Sequence, residues 1–273
     1  MAWFLIAMLM ILLWVVSLCK VLHASSSASK VASFLDGGFT QKKNILLVIA
    51  HPDDESMFFC PTILYFMSRG YNFHILCMST GVLALTVAPL YISSGNADGK
   101  GNIRKEELYQ ACLVLKIPRH QVKIIDHPDL QDGFEVMWSH SLLSSIIQDE
   151  IANQNIDLLI TFDNYGVSGH RNHRDVHHGV CRTLYERPHR DIEAWELLST
   201  SIIRKYSGPV DLWLSVLYAH YYQRGQMHCL LNENPCKSFL VMSQHESQWI
   251  WFRKLFVSFS SYTYVNTLRK MII

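Results

Sequence analysis

The stretch NILLVIAHPDDE, Asn44 to Glu55, decides the fold class. Its opening run, Asn44–Ala50, is short, apolar and rich in β-branched residues, as expected of a strand buried on both faces. It ends abruptly in His51, Pro52 and three consecutive acids. Outward from it the pattern alternates. Glu55–Arg69 has helical periodicity and stops at Gly70, and Asn72–Ser79 (NFHILCMS) is the next strand. A helix over Ile103–Lys116 is stopped by Pro118, and Val122–Asp126 is a strand. A helix over Met137–Asn153, a strand over Ile156–Phe162 (IDLLITF) and a helix over Asn172–Tyr185 follow. Strands alternating with helices of this length are βαβ units. The expected fold is therefore α/β, a Rossmann-like parallel sheet with helices on both faces. Sites in such folds lie at the carboxyl ends of strands. Beyond residue 190 the pattern is less regular, with an apolar run at Leu212–Ala219, a strand candidate at Phe239–Met242 and an aromatic helix over Gln244–Phe259.

Upstream of this domain, residues 2–19 carry no charge. With Lys20-Val21-Leu22 the run reaches about 20 residues, roughly 30 Å as a helix, which spans a bilayer core. A cleaved signal peptide would want a basic start and a shorter apolar run, so a retained transmembrane anchor over 1–22 is the better reading. Residues 23–43, rich in Ser, Gly and Lys, read as a linker. The domain then occupies 44–273. Lys20, Lys30, Lys42 and Lys43 follow the run with only Asp36 against them, which puts the domain in the cytosol by the positive-inside rule. Seven cysteines, an odd number without C-x-x-C spacing, argue against both a disulfide framework and a thiolate metal cluster. Lys and Arg total 24 against 23 acids, so no electrostatic case exists for nucleic acid as a partner.

Two constellations carry chemistry. His51-Pro52-Asp53-Asp54-Glu55 follows the first strand. Neighbouring Asp side chains point different ways, so one can ligate a metal while the other reaches a nearby water. Read alone, the same residues would serve a turn and a helix N-terminus. The second, Asp163-Asn-Tyr-Gly166-Val-Ser-Gly169-His170-Arg-Asn-His173, follows the strand IDLLITF. Histidines three apart at a helix start share a face. Alone they would suit a solvated, His-rich helix. Both constellations lie at carboxyl ends of parallel strands, where two His and one Asp would leave an open position, the pattern of catalytic zinc. His₂Asp also suits other divalent metals. Two other motifs fail: Gly95-N-A-D-Gly99-Lys100 has the wrong spacing for a phosphate-binding loop, and G-V-S-G-H lacks the closing glycine of a nucleophile elbow.

L-V-I-A-H-P-D-D-E, then G-N-A-D-G-x-G-x-x-R-x-E-E-L, then T-F-D-x-x-G-V-S-G-H-x-x-H resembles the LmbE/PIG-L family of zinc-dependent de-N-acetylases, over roughly residues 44–260. The anchor, I-P-x-x-x-V-x-I-I-D and the aromatic S-Q-W-I-W-F-R-K-L-F tail resemble its eukaryotic branch. That branch deacetylates N-acetylglucosaminyl-phosphatidylinositol in GPI-anchor biosynthesis at the endoplasmic reticulum membrane. The resemblance implies His51, Asp54 and His173 as Zn²⁺ ligands. It implies Asp53 as general base on the attacking water, and His170 beside the oxyanion, protonating the leaving amine. Arg104 would contact the substrate phosphate or a sugar hydroxyl, or else form a surface salt bridge to Glu107. Asn96 and Asp98 would touch sugar hydroxyls. His177 lies outside the motif, as a helix-surface or supporting residue. The implied partners are the glycolipid and the membrane. The alternatives are another N-acetylglucosaminyl conjugate as substrate, or an impaired membrane-bound scaffold.

One departure stands beside the motif. Removing residues 82–95 would restore S-T-G-N-A-D-G without a gap. This atypical apolar insertion is too short to span a bilayer. It reads as an alternative gene product, or as a substrate-gating lid, and in either case would displace Arg104 and lower activity. The aromatic stripe Trp249, Trp251, Phe252, Leu255, Phe256 reads as core, with interfacial contact the rival because the implied substrate is a lipid.

Overall fold

The computed structural model describes residues 2–24, 43–81, 97–133, 136–186, 192–222 and 226–272, with the backbone alone at residues 2 and 97–100. In chain order the elements are α1 (Ala2–Ala24), β1 (Asn44–Ile49), α2 (Asp54–Met57), α3 (Cys60–Ser68), β2 (Asn72–Cys77), α4 (Ala97–Val114), β3 (Val122–Ile124), α5 (His140–Gln154) and β4 (Leu158–Phe162). There follow α6 (Gly166–Gly169), α7 (Arg171–Glu186), β5 (Glu193–Leu197), α8 (Ile202–Lys205), α9 (Asp211–Tyr221), β6 (Met227–Leu231), α10 (Pro235–Met242), α11 (Trp251–Phe259) and β7 (Val265–Lys270).

The strands form one seven-stranded sheet in the order β3-β2-β1-β4-β5-β7-β6. The expected α/β fold is thus observed, with β1 inside the sheet between β2 and β4. β1 pairs in parallel with β2, Asn44 opposite Asn72, and with β4, Ile45 opposite Leu158. Alternate side chains of a strand face opposite layers. Ile45, Leu47 and Ile49 accordingly pack with Phe59 and Phe66 near α3 and with Leu108 and Ala111 of α4. Leu46, Val48 and Ala50 pack with Leu143 and Ile147 of α5 and Val176 and Val180 of α7. Because both faces are covered, the strand must be apolar throughout, and polar residues can begin only where it leaves the sheet.

Beyond β5 the sheet is no longer parallel: β7 runs antiparallel to both β5 and β6. The expected strand at Phe239–Met242 is instead the end of α10, whose start is set by Asn234, capping the Lys237 amide at 3.1 Å, and by Pro235 in the first turn. The expected helix over Glu55–Arg69 is two, α2 and α3. Pro61 has no N–H with which to continue the first, and serves instead as an opening residue of the second. The aromatic helix is likewise a 3-10 turn at Glu246–Gln248 followed by α11.

α1 is long and apolar enough to cross a membrane, with a mean hydropathy of 2.6 over Trp3–His23. Its second half rests on the domain. Trp213 Nε1 donates to Ser17 Oγ at 2.9 Å, Lys20 Nζ lies 4.6 Å from the Trp213 ring, and Val21 packs with Leu212 and Tyr264. The expected linker, from residue 25 to 42, and the insertion at 82–95 lie outside the described residues.

Candidate active site

The sheet order reverses between β1 and β4, since the chain runs from β1 outward to β2 and β3 and then returns to β4 beside β1. A crevice forms at the carboxyl ends of the two strands that part there. β1 delivers Ala50–Glu55 to that crevice and β4 delivers Asp163–His173.

His51, His170 and His173 gather so that a nitrogen of each lies within 4.8 Å of the others. Their hydrogen bonds sort them. His173 Nδ1 is 3.0 Å from the Gly166 carbonyl, which can only accept, so Nδ1 carries the proton and Nε2 presents a lone pair. That lone pair faces Asp54 Oδ1 at 3.3 Å. His51 Nε2 lies 3.2 Å from Asn172 Oδ1 and 3.1 Å from Asp132 Oδ1. The Asn172 amide is oriented by Nδ2 donating to the Val136 carbonyl, so its oxygen accepts and His51 Nε2 donates. His51 Nδ1 is then the lone pair, 3.9 Å from Asp54 Oδ2. Acceptors therefore converge on one carboxylate, an arrangement that repels itself unless a proton or a cation lies between them. The donor set of His51, Asp54 and His173 fits a divalent metal on this ground. The ring N–H groups of both imidazoles are held by protein oxygens, as in metal sites whose ligands are oriented from behind. His170 differs. Its Nδ1 accepts from the Asn172 amide at 3.3 Å, which turns Nε2–H toward Asp132 Oδ1 at 3.8 Å.

Charges in the crevice are buried and mutually arranged. Burial would raise the Asp54 carboxyl, but His173, His51 and the backbone amides hold it well below the usual range. Those amides, of Ala50 and His51, donate to Oδ2 at 3.1 and 2.8 Å. Asp53 shifts the other way: burial pushes its carboxyl up against the opposing pull of Arg253 and Arg104. Its Oδ2 lies 2.7 Å from Arg253 Nη1 and 3.5 Å from Arg104 Nη2, yet neither guanidinium is angled to hydrogen-bond it. Asp53 also holds φ 118°. A non-glycine residue there stores strain of about 1–3 kcal/mol, and such strain gathers at functional sites. Burial and the neighbouring His51 and His173 lower the His170 ring to about 4, so it is neutral near pH 7. Burial also lowers His51, but Asp132, Asp54 and Asp53 outweigh it and leave the ring raised.

Two glycines are required by close approach. A Cβ at Gly166, at φ +66°, would lie 2.6 Å from His173 Cβ. One at Gly81, at φ +68°, would strike the Arg104 guanidinium. Arg104 donates to the Gly81 carbonyl, and to the Pro52 carbonyl at 2.8 Å. It is buried and does not pair with Glu107, which instead accepts from the Ser247 amide and hydroxyl at 2.6 and 2.7 Å. The surface salt bridge considered for Arg104 is therefore absent, and Arg104 reaches Gly81, the last described residue before the insertion. Asp98 lies at the start of α4, and Asn96 lies outside the described residues. His177 is not on the surface: it is buried under β4, Nδ1 against the Phe162 carbonyl at 3.0 Å.

Sequence reasoning gave no role at the site to Asp132, Asn172, His245 or Arg253, and read Glu55 only as an acid of the helix's first turn. Asp132, in the loop after β3, bridges His51, His170 and, at 3.9 Å, Arg104. Asn172 sets the His51 tautomer. Glu55 and His245 form a fully buried pair, Oε1 to Nε2 at 2.6 Å, and Glu55 Oε2 accepts the Asp53 amide at 3.1 Å. Arg253 reaches Asp53 from α11. Only Asp132-Gly133, an acid–glycine turn after a strand, left a local signal.

Residues 46–184 match the family described as PIG-L, GlcNAc-PI de-N-acetylase. The N-acetylglucosaminyl-phosphatidylinositol de-N-acetylase of Bos taurus is 36% identical, covering 82% of this chain and 81% of its own. A probable enzyme of the same name from Dictyostelium discoideum is 31% identical, covering 83% of this chain and 93% of its own. Among solved structures, N,N'-diacetylchitobiose deacetylase of Pyrococcus horikoshii superposes with a TM-score of 0.58 at 14% identity, covering 93% of this chain and 91% of that one.

Proposed function

The chain belongs to the PIG-L family of GlcNAc-PI de-N-acetylases, and from that premise we propose that it hydrolyses the N-acetyl group of N-acetylglucosaminyl-phosphatidylinositol. The products are acetate and glucosaminyl-phosphatidylinositol, a step of GPI-anchor biosynthesis. The observation that carries this reading is the unclaimed, buried Asp53 carboxylate oxygen beside a cluster of lone pairs focused on Asp54. Zn²⁺ is the metal proposed for His51, Asp54 and His173, with other divalent metals possible; when bound it supplies Lewis acidity to the acyl oxygen and to water. Asp53 takes a proton from the attacking water as its oxygen bonds to the acetyl carbon. His170, neutral, donates its Nε2–H to the developing oxyanion. The C–N bond then breaks, and the proton gained by Asp53 returns through His170 to the leaving amine. Arg104 is proposed to face the sugar, with Asn96 and Asp98 contacting its hydroxyls. Arg253 and Arg104 pull the Asp53 carboxyl down against the larger rise that burial imposes.

The proposed location is the endoplasmic reticulum membrane, with α1 as anchor, a linker over 23–43 and the domain of 44–273 in the cytosol. The test is acetate release from the glycolipid by the detergent-solubilised full chain, beside Asp53→Asn and a chelator. Loss of a general base costs roughly 10²–10⁴-fold. Turnover that Asp53→Asn and the chelator both suppress supports the reading. Turnover of soluble N-acetylglucosamine conjugates without turnover of the lipid would overturn it. Deletion of 82–95 tests the insertion: restored activity would mark it as inhibitory.

A further inference from the structure

The loops after β4 and β5 enclose an open pocket of about 540 Å³. Its wall includes Tyr165, Ser168, Ser199, Ser201, Lys205 and Tyr206. Ser168 lies two residues before His170, so this pocket adjoins the reacting centre along the chain. Lys205 is 9% exposed, and its ammonium donates to the Val167 carbonyl. Among the described residues no carboxylate pairs with it. Asp163, the acid in the wall, is occupied: its oxygens accept from the amides of Tyr165, Gly166 and Ser199 and from the Ser199 hydroxyl, at 2.6 to 3.1 Å. A nearly buried cation with N–H donors to spare, among hydroxyls, has the composition of an anion site.

A second cavity adjoins the first. It is an apolar groove of about 440 Å³ lined by Met10, Ile11 and Trp14 of α1 together with Val210, Phe259 and Tyr206. Tyr206 belongs to both walls. A hydroxyl-lined cation pocket thus passes, at one tyrosine, into an oily groove on the candidate membrane span. Lys205 holds the Val167 carbonyl, and the neighbouring Gly166 carbonyl holds His173, so one loop joins the cation pocket to the histidines.

We propose that the pocket holds the inositol phosphodiester of the lipid, with Lys205 pairing with the phosphate, and that the groove along α1 receives the first part of an acyl chain. This rests on the reading above, and it assigns the phosphate to Lys205 rather than to Arg104, whose Nη1 and Nη2 already serve Gly81 and Pro52.

Three substrates test it in the full chain: the glycolipid, its deacylated glycerophosphoinositol form, and the sugar–inositol lacking phosphate. Lys205→Met raises KM roughly tenfold or more for the two phosphate-bearing substrates, with kcat nearly unchanged, as expected for loss of a charge-assisted contact. Lys205→Arg recovers part of the loss. Phe259→Ser raises KM for the diacyl substrate alone. Equal effects of Lys205→Met on all three substrates would mean that Lys205 only supports the Val167 loop, and would overturn the assignment, as would no effect on any. Calorimetric binding of glycerophosphoinositol separates this inference from the activity. If wild-type chain binds it, and Lys205→Met binds it at least tenfold more weakly, the pocket stands even where acetate release fails. Binding of inositol as tight as that of glycerophosphoinositol would overturn it.

Discussion

The two halves of this molecule break the ordinary rules of burial in opposite directions. Between Lys43 and Glu186 it buries charge: Asp53, Asp54, Glu55 and Arg104 lie under the sheet edge. Between Ile202 and Phe259 it exposes oil: among the described residues seventeen large apolar side chains stand in solvent, against five in the first half. Trp251 is 72% exposed and Ile203 82%. Neither violation stabilises a soluble fold. Buried carboxylates are tolerated where chemistry needs them, and apolar patches of this extent mark a surface that something covers. The exposed residues of α8, α9 and α11 lie on elements that pack near α1, the candidate span. One half thus gathers the buried charges of the candidate site, and the other carries the exposed apolar side chains beside the candidate span.

The two halves are joined by a charged pair, and the largest effect on stability is expected there. Glu55 and His245 are both fully buried, and His245 tethers the second half to the backbone of Asp53 through Glu55. Removing one partner of such a pair strands the other's charge. Glu55→Gln should therefore cost about 3–5 kcal/mol in denaturant unfolding. The pH dependence has a defined sign. Burial lowers the His245 ring, but Glu55 outweighs it and leaves it raised from 6.5. Its contribution is present in full below 6.5 and is lost as pH rises through the higher folded value. Melting temperature should fall across that window in the wild type and stay flatter in His245→Gln. Equal slopes would mean that the pair does not hold the halves together.

A smaller effect separates the apolar half from the reaction. Serine at Leu214, Leu217, Phe252 and Leu255 should raise KM for vesicle-borne glycolipid by roughly 10–100-fold, since each side chain withdrawn from lipid forfeits transfer free energy. Turnover of a water-soluble N-acetylglucosaminyl-inositol should not change. A parallel loss on the soluble substrate would show that this face is part of the fold rather than a lipid contact.

How much of this was legible in sequence follows the same division. The first half was readable because its two signals reinforce one another. NILLVIA can only be a strand buried on both faces, and a strand that ends in His51, Asp53 and Asp54 has its polar groups at a sheet edge. Gly169, His170 and His173 repeat the arrangement after β4, and the order reversal between β1 and β4 brings them together. Asp132 and Asn172 were missed because their task, fixing which imidazole nitrogen bears the proton, depends on tertiary position alone. The second half misled for a physical reason. Phe239–Met242 is apolar enough for a strand, but the Asn234 cap and Pro235 had already started a helix. In α11, the stripe Trp251, Phe252 and Leu255 resembles a core-facing surface, but all three side chains are exposed, and an apolar surface face wants the same residues as a core. Arg253, on that helix, could not be connected to Asp53 by any spacing rule.

Arg253 gives the smallest effect, and the one that bears most directly on whether the halves communicate. It lies on the helix with the exposed aromatic residues, yet its Nη1 is 2.7 Å from the proposed base and also donates to Gln248. Burial holds the Asp53 carboxyl above its ordinary value, and Arg253 is the foremost influence pulling it down. Arg253→Gln removes that pull, so the carboxylate forms only at higher pH. The acidic limb of kcat/KM should move upward, and activity near neutral pH should fall by roughly tenfold, within the range of one charge contact. At a pH above the displaced limb the variant should recover most of its kcat. A scaffold role predicts a uniform loss at every pH, whereas tuning of the base predicts a loss that alkali repairs. Seating the variant on vesicles extends the test. If α11 settling into lipid is what positions Arg253, the wild-type limb should lie at lower pH on vesicles than in dilute detergent, and the Arg253→Gln limb should not move between them.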